Sequence, residues 1–389
     1  MSARPILLYV VNEAYFFLSH RLPVARAAQN AGFDVHVAAP DDHVWAPEGF
    51  RIEALREAGF AYHVIPLVKR GTNPFEELAT FAAIWRLLGR LRPALVHTLT
   101  IKPVLYGGLA ARLVGVPGVV AGITGLGQMF SGQGAKVGAL RALAGIGYRL
   151  ALGHARARAI VQNAEDGETL LRIGALPGER LRLIRGSGVA LGTFAPSEEP
   201  TTGAPLVILP ARLIWDKGVG EFVEAARYLK AAGTRARFAL VGDTKASNPR
   251  SVPETQLRSW HEEGAVEWWG RRDDMPAVLA SASIVCLPST YGEGVPKVLI
   301  EAAASARSIV ATNIGGCREI ARHEENGLLV PPGDAKALAA ALSRLIEDAA
   351  LRRRYGARGR EIAVAEFSDV EVAAKTLAIY RELVGTTVA

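Results

Sequence analysis

A glycine-rich turn with two glutamates is the part of this sequence best suited to bind a ligand. The apolar run Ile284–Leu287 predicts a buried strand, and Pro296 at a first helical position predicts a helix directly after the turn. Free backbone N–H groups and the positive end of the helix dipole favour a phosphate there, and Gly294 lets a ligand approach the backbone closely. Seven residues separate Glu293 from Glu301. One carboxylate is therefore expected in the turn and the other about two helical turns deeper.

A second loop supplies positive charge. Arg212 and Lys217 follow the apolar run Leu206–Leu209 and precede a glycine that opens an amphipathic helix ending near Ala232. A strand-to-helix loop at the carboxyl edge of a parallel sheet faces the crevice where such folds bind ligands. From the residues alone, simple solvation of both charges remains the alternative.

These two segments resemble the retaining glycosyltransferases of the GT-B fold, specifically their large family four. The resemblance rests on the E-x7-E pattern of Glu293 and Glu301, flanked by Glu-Gly-x-Pro after a strand. It implies transfer of a sugar, with retention, from a nucleoside diphosphate, with UDP the expected nucleotide. It also implies that Arg212 and Lys217 bind the diphosphate, that Glu293 holds sugar hydroxyls and that Glu301 holds the ribose.

Three smaller segments continue the resemblance. Val241-Gly242-Asp243 resembles the family's turn after a strand, although Thr244 replaces a second glycine, and residues 270–275 resemble a base-binding segment near an arginine. Residues 326–334 match a turn that is architectural in the family. The nucleotide-sugar contacts that the resemblance implies are Gly242, Arg271, Gly294, Val295, Pro296, Leu299 and Glu301.

The first half of the chain offers one histidine of interest. His97 closes a predicted strand and Lys102 follows in the next helix, which would place both at the crevice between two domains. A lone histidine after a strand is more often a packing residue, but the family commonly has a functional histidine here, so His97 is a catalytic candidate. A second family histidine is replaced by Thr124. The segment 122–127, with its Ile-Thr-Gly-Leu-Gly, resembles a narrower branch that extends sugars on polyprenyl-diphosphate carriers in capsule, O-antigen or protein N-glycan assembly.

Residues 11–23 are expected to form the first strand-to-helix loop. Tyr15–Phe17 would meet an apolar acceptor there, while Asn12, His20 and Arg21 would grip its diphosphate; buried packing of the aromatic residues is the alternative. With Lys102 and Thr124, these are the predicted acceptor-binding residues.

Charge is unevenly distributed along the chain. Residues 1–195 carry 21 Lys and Arg against 13 Asp and Glu, although the whole chain has a formal net charge of only +7. No acidic residue occurs between Glu77 and Glu165, whereas ten basic residues do. Such a surface suits an anionic partner, either nucleic acid or the cytoplasmic face of a bilayer. An amphipathic helix over Lys136–Arg158 would lie along the bilayer, unless its leucines pack inward.

Strand-like runs alternate with helical-period segments from end to end, which predicts two parallel sheets of the doubly wound type. With 389 residues, two domains are expected. We expect an acceptor-binding Rossmann-like domain over 1–195 and a nucleotide-sugar-binding one over 196–367, facing across a cleft. A Pro- and Thr-rich linker would span residues 195–205, and a last helix over 368–389 would pack back toward the first domain. The first helix is predicted near Ser19–Asn30. Strands are predicted over Ile6–Val11, Asp34–Ala38, His63–Ile65, Leu95–Thr98, Val119–Gly122, Ala159–Gln162, Leu183–Arg185, Leu206–Leu209, Arg237–Gly242, Ala265–Trp268, Ile284–Leu287, Ile309–Thr312 and Gly327–Val330.

Several classes of protein are disfavoured by what the sequence lacks. It contains no G-x-G-x-x-G of a dinucleotide site, no H-E-x-x-H, no C-x-x-C and no D-x-D, so neither a cofactor nor a metal is expected. Two isolated cysteines, no run of about 20 apolar residues and no signal-peptide pattern favour the cytosol, with the enzyme peripheral on the inner face of the cell membrane.

Two other functions remain open from the sequence. A nucleotide-sugar 2-epimerase would share the architecture but need no polyprenyl acceptor. A non-catalytic scaffold would use the basic first half to bind a membrane or nucleic acid. The presence of Arg212, Lys217, Glu293 and Glu301 argues against a scaffold, and the scarcity of aromatic residues among the basic ones argues against stacking on nucleic-acid bases.

Overall fold

The computed structural model describes residues 4–41, 50–68, 73–126, 135–246 and 248–385, with only the backbone of residues 135–140. The chain forms two units: residues up to Ser187 with those from Asp369 onward, and Gly188–Ser368. Each unit has its own parallel sheet, with apolar cores on both faces. The predicted class, two doubly wound α/β domains, is confirmed.

The first sheet consists of strands that are apolar throughout, as expected where helices cover both faces of a parallel sheet. Its strands are β1 (Ile6–Val10), β2 (Asp34–Ala39), β3 (Ala61–Val64), β4 (Leu95–Leu99), β5 (Gly118–Ile123), β6 (Ala157–Val161) and β7 (Leu181–Leu183). Their order is β3-β2-β1-β4-β5-β6-β7. The carboxyl ends of β1, β4 and β5 therefore lie side by side.

Helices follow most of these strands, and some of them begin with a side-chain cap. They are α1 (Ala14–Asn30), α2 (Glu53–Glu57), α3 (Pro74–Leu91), α4 (Ile101–Val114), α5 (Ala135–Leu152) and α6 (Ala164–Arg172). Asn73 accepts from the backbone N–H of Phe75, and Asn163 from that of Asp166, which satisfies N–H groups that the helices leave unpaired. Helices α3, α4 and α5 cover one face of the sheet, while α1 covers the other.

The second unit repeats the scheme. Its strands are β8 (Leu206–Pro210), β9 (Arg237–Val241), β10 (Glu267–Trp268), β11 (Ile284–Leu287), β12 (Ser308–Thr312) and β13 (Gly327–Val330), in the order β10-β9-β8-β11-β12-β13. Its helices are α7 (Val219–Ala231), α8 (Glu254–Glu262), α9 (Met275–Ser281), α10 (Lys297–Ala304), α11 (Gly315–Ile320), α12 (Ala335–Glu347) and α13 (Ala349–Glu366).

The last helix, α14 (Asp369–Val384), belongs to the first unit. Val372, Ile379 and Leu383 are buried in the same core as α1 and β1. The first unit is thus completed by residues from the far end of the sequence. Among the described residues, no helix is both long and apolar enough to cross a bilayer.

Two sequence-based boundaries differ from the structure. The first helix was expected near Ser19, but α1 begins at Ala14, so Tyr15–Phe17 are helical rather than part of a loop. Ala14, Phe17 and Arg21 share the buried face, a helical spacing that extends the apolar pattern seen further along. The second unit begins at Gly188 rather than 196, because the Val189 N–H bonds the Phe367 carbonyl and Arg307 donates to Ser197.

Candidate active site

Two loops meet at the carboxyl ends of neighbouring strands in the second unit. The cation loop, residues 211–218, follows β8; the glutamate turn, residues 289–296, follows β11. Strands β8 and β11 pair directly in the sheet. Because the loops after neighbouring parallel strands meet at the carboxyl edge of the sheet, Lys217 and Glu293 come together although they are 76 positions apart.

Lys217 and Glu293 form an ion pair at this edge. Their side chains are only 12% and 11% exposed, and the other carboxylate oxygen of Glu293 accepts from the Ser289 hydroxyl. The Ser289 carbonyl in turn accepts from the Thr312 hydroxyl at 2.7 Å. Because a buried charge is tolerated only when it is paired and hydrogen-bonded, this network fixes the carboxylate and the ammonium relative to the sheet.

Two glycines allow the loops to approach this closely. Gly218 has φ 71°, and a Cβ there would lie 2.0 Å from the Pro288 carbonyl oxygen. A Cβ at Gly316, in α11, would lie 1.9 Å from the Gly294 carbonyl oxygen. Only glycine fits either position without a shift of backbone. Ser289 and Gly316 are site residues that the sequence analysis missed, since no local pattern marks them.

Arg212 lies in the cation loop, and its carbonyl accepts from the Ile214 N–H at 2.8 Å. The end of β9 adjoins this loop, because a Cβ at Gly242 would lie 1.8 Å from the Ala211 carbonyl oxygen. Gly242 donates to the Gly270 carbonyl at 2.8 Å, which brings the segment of Arg271 to the same edge. Arg271 itself pairs with Asp273 at 3.1 Å. The predicted nucleotide residues of three separate segments are therefore neighbours.

The helix after the glutamate turn starts one residue later than expected. Pro296 is the N-cap of α10 rather than its first residue. Val295 and Leu299 are buried in the core, and the Leu299 N–H donates to the Pro296 carbonyl at 3.1 Å, so neither side chain is free to meet a ligand. Glu301 is 8% exposed and lies 3.4 Å from the Lys297 ammonium. Burial raises the pKa of the Glu301 carboxyl, an effect that Lys297 opposes.

His97 does not lie at a strand end. It is the third of the five residues of β4 and only 2% exposed, so the prediction that it closes the strand is wrong. Two further residues of β4, Thr98 and Leu99, follow it, and its Nδ1 lies 2.6 Å from the Tyr380 hydroxyl of α14, with which it shares a hydrogen bond. That hydroxyl also bonds the Tyr9 hydroxyl at 2.8 Å. Burial, and to a lesser degree the charge of Arg21, lowers the pKa of His97 well below its usual value, which favours the neutral ring.

Arg21 and His97 line one small cavity in the first unit, together with Gly122 and Gln162. Arg21 is 7% exposed. Among the described residues, its Nε and the Nε2 of His97 have no hydrogen-bond partner. Two nitrogen atoms in the lining of this cavity thus keep hydrogen-bonding capacity.

The other predicted acceptor residues are spread over the carboxyl edge of the first sheet. Asn12 precedes α1, and Thr124 follows β5; both are half-buried. His20 lies within α1, with Nδ1 2.7 Å from the Ser19 hydroxyl. Lys102 is directed elsewhere: its ammonium lies 2.5 Å from the Glu77 carboxylate. Within the described part of the chain, no three His, Cys, Asp or Glu side chains are grouped so as to hold a metal.

Comparison with known proteins identifies the family. Residues 6–163 match the family model described as "Glycosyl transferase 4-like", and residues 204–348 match "Glycosyl transferases group 1". The two matches fall in the two halves and together span most of the chain.

Full-length relatives agree with this. The chain is 29% identical to a Campylobacter jejuni N,N'-diacetylbacillosaminyl-diphospho-undecaprenol alpha-1,3-N-acetylgalactosaminyltransferase, over 95% of this chain and 98% of that protein. It is 25% identical to an Escherichia coli UDP-Gal:alpha-D-GlcNAc-diphosphoundecaprenol alpha-1,3-galactosyltransferase, over 74% and 75%. The crystal structure of Anabaena Alr3699/HepE in complex with UDP-glucose superposes with a TM-score of 0.73 at 20% identity, covering 96% of this chain and 99% of that one. The fold and both halves of the sequence agree, and the chain belongs to family four of the GT-B glycosyltransferases.

Proposed function

We propose that this protein is a retaining glycosyltransferase that moves a hexose or N-acetylhexosamine from a UDP-sugar to a polyprenyl-diphosphate-linked sugar at a membrane. The observation that carries the proposal is the buried Lys217–Glu293 pair in loops where the family binds its donor. The Campylobacter and Escherichia coli relatives are named for diphospho-undecaprenol-linked substrates, and the Anabaena structure contains UDP-glucose.

The reaction is an exchange of one bond at the anomeric carbon. The bond from that carbon to the β-phosphate oxygen breaks, and a bond to the acceptor hydroxyl oxygen forms on the same face. The acceptor proton passes to the departing diphosphate, so UDP is the leaving group and its own base. Arg212, Lys217 and the N–H groups before α10 stabilise the charge that grows on the β-phosphate, each well-aimed donor contributing about 3 kcal/mol. Glu293 orients Lys217 and holds sugar hydroxyls.

The acceptor is assigned to the carboxyl edge of the first sheet. Asn12 and Thr124 flank this edge, and Arg21 and His97 line the cavity beneath it. His97 acts there as a neutral polar group rather than as a cation, since burial lowers its pKa. No cofactor takes part.

A thermal-shift screen of nucleotides and nucleotide sugars tests the donor, followed by transfer to polyprenyl-diphosphate sugars. UDP-sugars should raise the melting temperature, and product should form only when the lipid acceptor is added. A 2-epimerase would instead convert the UDP-sugar without any acceptor. Stabilisation by another nucleotide class, with none by UDP, would exclude the proposed donor.

Transfer should persist in excess EDTA. The sequence has no D-x-D, and Arg212 and Lys217 supply the positive charge that a metal ion provides in other transferases. Initial rates are measured with and without a molar excess of chelator over total divalent metal. A loss of rate that magnesium or manganese restores would contradict the metal-independent assignment.

Glu301→Gln should weaken UDP binding without weakening the fold. The substitution removes a charge-assisted bond to the ribose, which costs about 1.5–3 kcal/mol of binding free energy. Because the folded-state pKa of Glu301 is raised, its ionised form lowers folding stability at pH values above that pKa. The variant should therefore melt no lower than wild type at neutral pH. Titration calorimetry with UDP and thermal denaturation measure the two effects separately, and unchanged UDP affinity would remove Glu301 from the site.

The membrane part of the proposal is supported by the outer surface of the first unit. Two stripes of exposed apolar side chains run along α3 and α5. They comprise Phe75, Leu78 and Trp85 on α3 and Leu143, Ile146 and Leu150 on α5. Phe75 is 82% and Leu143 70% exposed. Spacings of three, four and seven residues place each set on one face of its helix.

Helix α4 joins the two stripes into one surface. Gly108 of α4 packs against Ala151 of α5, and Tyr106 of α4 donates to Glu77 of α3 at 2.5 Å. Exposed arginines lie among the apolar residues: Arg86, Arg90, Arg112 and Arg149. The sequence left open whether the leucines of this helix pack inward. Leu152 does pack inward, whereas the apolar residues of the α5 stripe are exposed. We call the exposed side chains of these three helices the basic apolar face, and we assign it to an anionic bilayer surface.

A further inference from the structure

An arginine outside the cation loop is bound to it. The guanidinium of Arg250 donates to the Asp216 carboxylate, and its carbon lies 5.4 Å from the centre of the Tyr291 ring. The Lys217 ammonium lies 5.9 Å from the same ring. Asp216 precedes Lys217, and Tyr291 belongs to the glutamate turn, so Arg250 contacts both loops of the donor site.

The backbone around Arg250 fixes this arrangement. The Trp215 N–H donates to the Arg250 carbonyl at 2.9 Å, and the Val252 N–H donates to the Leu213 carbonyl at 2.9 Å. The Thr290 N–H donates to the Asp216 carbonyl at 2.9 Å, which ties the cation loop to the glutamate turn. The segment after β9 thus lies alongside the cation loop and is hydrogen-bonded to its backbone. Among the described residues of this segment, Arg250 is the only arginine or lysine that forms an ion pair with the cation loop.

The charge of Asp216 explains why a cation is needed here. Its side chain is 19% exposed and therefore partly withdrawn from water. Without Arg250, an uncompensated carboxylate would stand next to the ammonium proposed to meet the donor diphosphate. It would repel the diphosphate and compete with Glu293 for Lys217.

We propose that Arg250 is a positioning residue for the nucleotide diphosphate: it neutralises Asp216 and, across Tyr291, keeps Lys217 directed at the ligand. This inference rests on the proposed function, because the diphosphate belongs to the UDP-sugar. It adds a third side-chain cation to the donor site, supplied by the segment after β9.

A double-mutant cycle on UDP affinity tests the inference. Arg250→Met should lower the affinity for UDP about thirtyfold, the low end of what an unpaired charge costs at a binding surface. Asp216→Asn alone should change it less than about threefold, because Arg250 remains. The double variant should return to the affinity of Asp216→Asn, since the repelling charge is gone. Arg250→Lys should retain most of the wild-type affinity.

Arg227→Met is the matched control, because Arg227 pairs with Glu263 on an exposed surface of the same unit. It should bind UDP as wild type does. If the double variant binds as weakly as Arg250→Met, the loss comes from loop structure and the neutralising role is excluded. If Arg250→Met matches the control, the inference fails while UDP binding by wild type still supports the proposed function. If wild type does not bind UDP, the proposed donor fails first.

Discussion

Lys217→Met should lower kcat by about 10²–10³-fold, the largest catalytic effect expected of any single substitution in this chain. The ammonium is paired with Glu293, and in the proposed reaction it stabilises charge that is greater in the transition state than in the bound donor. Removal of one such donor costs about 3–4 kcal/mol of transition-state stabilisation. The KM for the donor should rise much less, because the ground-state diphosphate still meets Arg212 and backbone N–H groups. Steady-state kinetics with saturating acceptor separate the two parameters.

The fold must be intact for that result to be meaningful. Lys217→Met leaves Glu293 buried without its cation, so the double variant Lys217→Met/Glu293→Gln is needed, in which no unpaired charge remains. It should recover the melting temperature but not kcat. Lys230→Met is a control in the same unit, since Lys230 is exposed and donates to the Gly264 carbonyl. A kcat within threefold of wild type for Lys217→Met would remove this residue from catalysis.

The arrangement of the proposed donor site could be predicted from the sequence, because each of its two loops lies between a strand and a helix that are close together in the chain. A strand, a short loop and a helix lie within about 15 residues, and the topology of a parallel sheet brings the ends of neighbouring strands together. This is why a sequence alone could place Lys217 and Glu293 at one edge of the sheet, where the structure pairs them. Gly316 was not predicted, because the need for glycine there comes from close approach to the Gly294 carbonyl, which is 22 positions away in the sequence.

The surroundings of the predicted acceptor residues follow less well from the sequence, because their contacts are distant along the chain. His97 bonds Tyr380, which is 283 positions away and belongs to a helix that returns to the first unit. No local pattern predicts that partner, and it is this partner that makes His97 a buried residue. The start of α1 was misplaced for a related reason. Three large aromatic and apolar residues after a strand suggested a loop facing a ligand, but Phe17 packs in the core against Tyr9 and Phe60.

The basic apolar face should bind anionic liposomes in a salt-dependent way. Each arginine near an anionic surface contributes about 1 kcal/mol, and screening over about 10 Å at 0.1 M salt removes much of that contribution. Arg86→Glu/Arg90→Glu/Arg149→Glu should therefore reduce binding to anionic liposomes by at least about 100-fold at low salt. The structure favours these three exposed positions over Arg141, which is half-buried. Flotation across a salt series measures the partition.

A charge-matched control distinguishes a specific face from net charge. Arg235, Arg353 and Arg354 are exposed arginines of the second unit, and their change to Glu alters the net charge equally. That control should keep most of the binding of wild type, because its charges lie outside the basic apolar face. Equal loss in both triple variants would mean that overall charge, and not this face, attracts the protein.

The apolar stripes should contribute independently of salt. Trp85→Ser/Leu143→Gln/Ile146→Gln removes exposed apolar area, so it should weaken binding at every salt concentration and lower the binding that persists at high salt. These side chains are exposed, hence the variant should melt close to wild type. Val364→Gln/Val370→Gln, also exposed, is the control for hydrophobicity alone. If wild type does not float with anionic liposomes at low salt, the peripheral-membrane assignment is wrong. If only the charge variant loses binding, the basic apolar face binds by electrostatic attraction alone and its apolar stripes do not enter the bilayer.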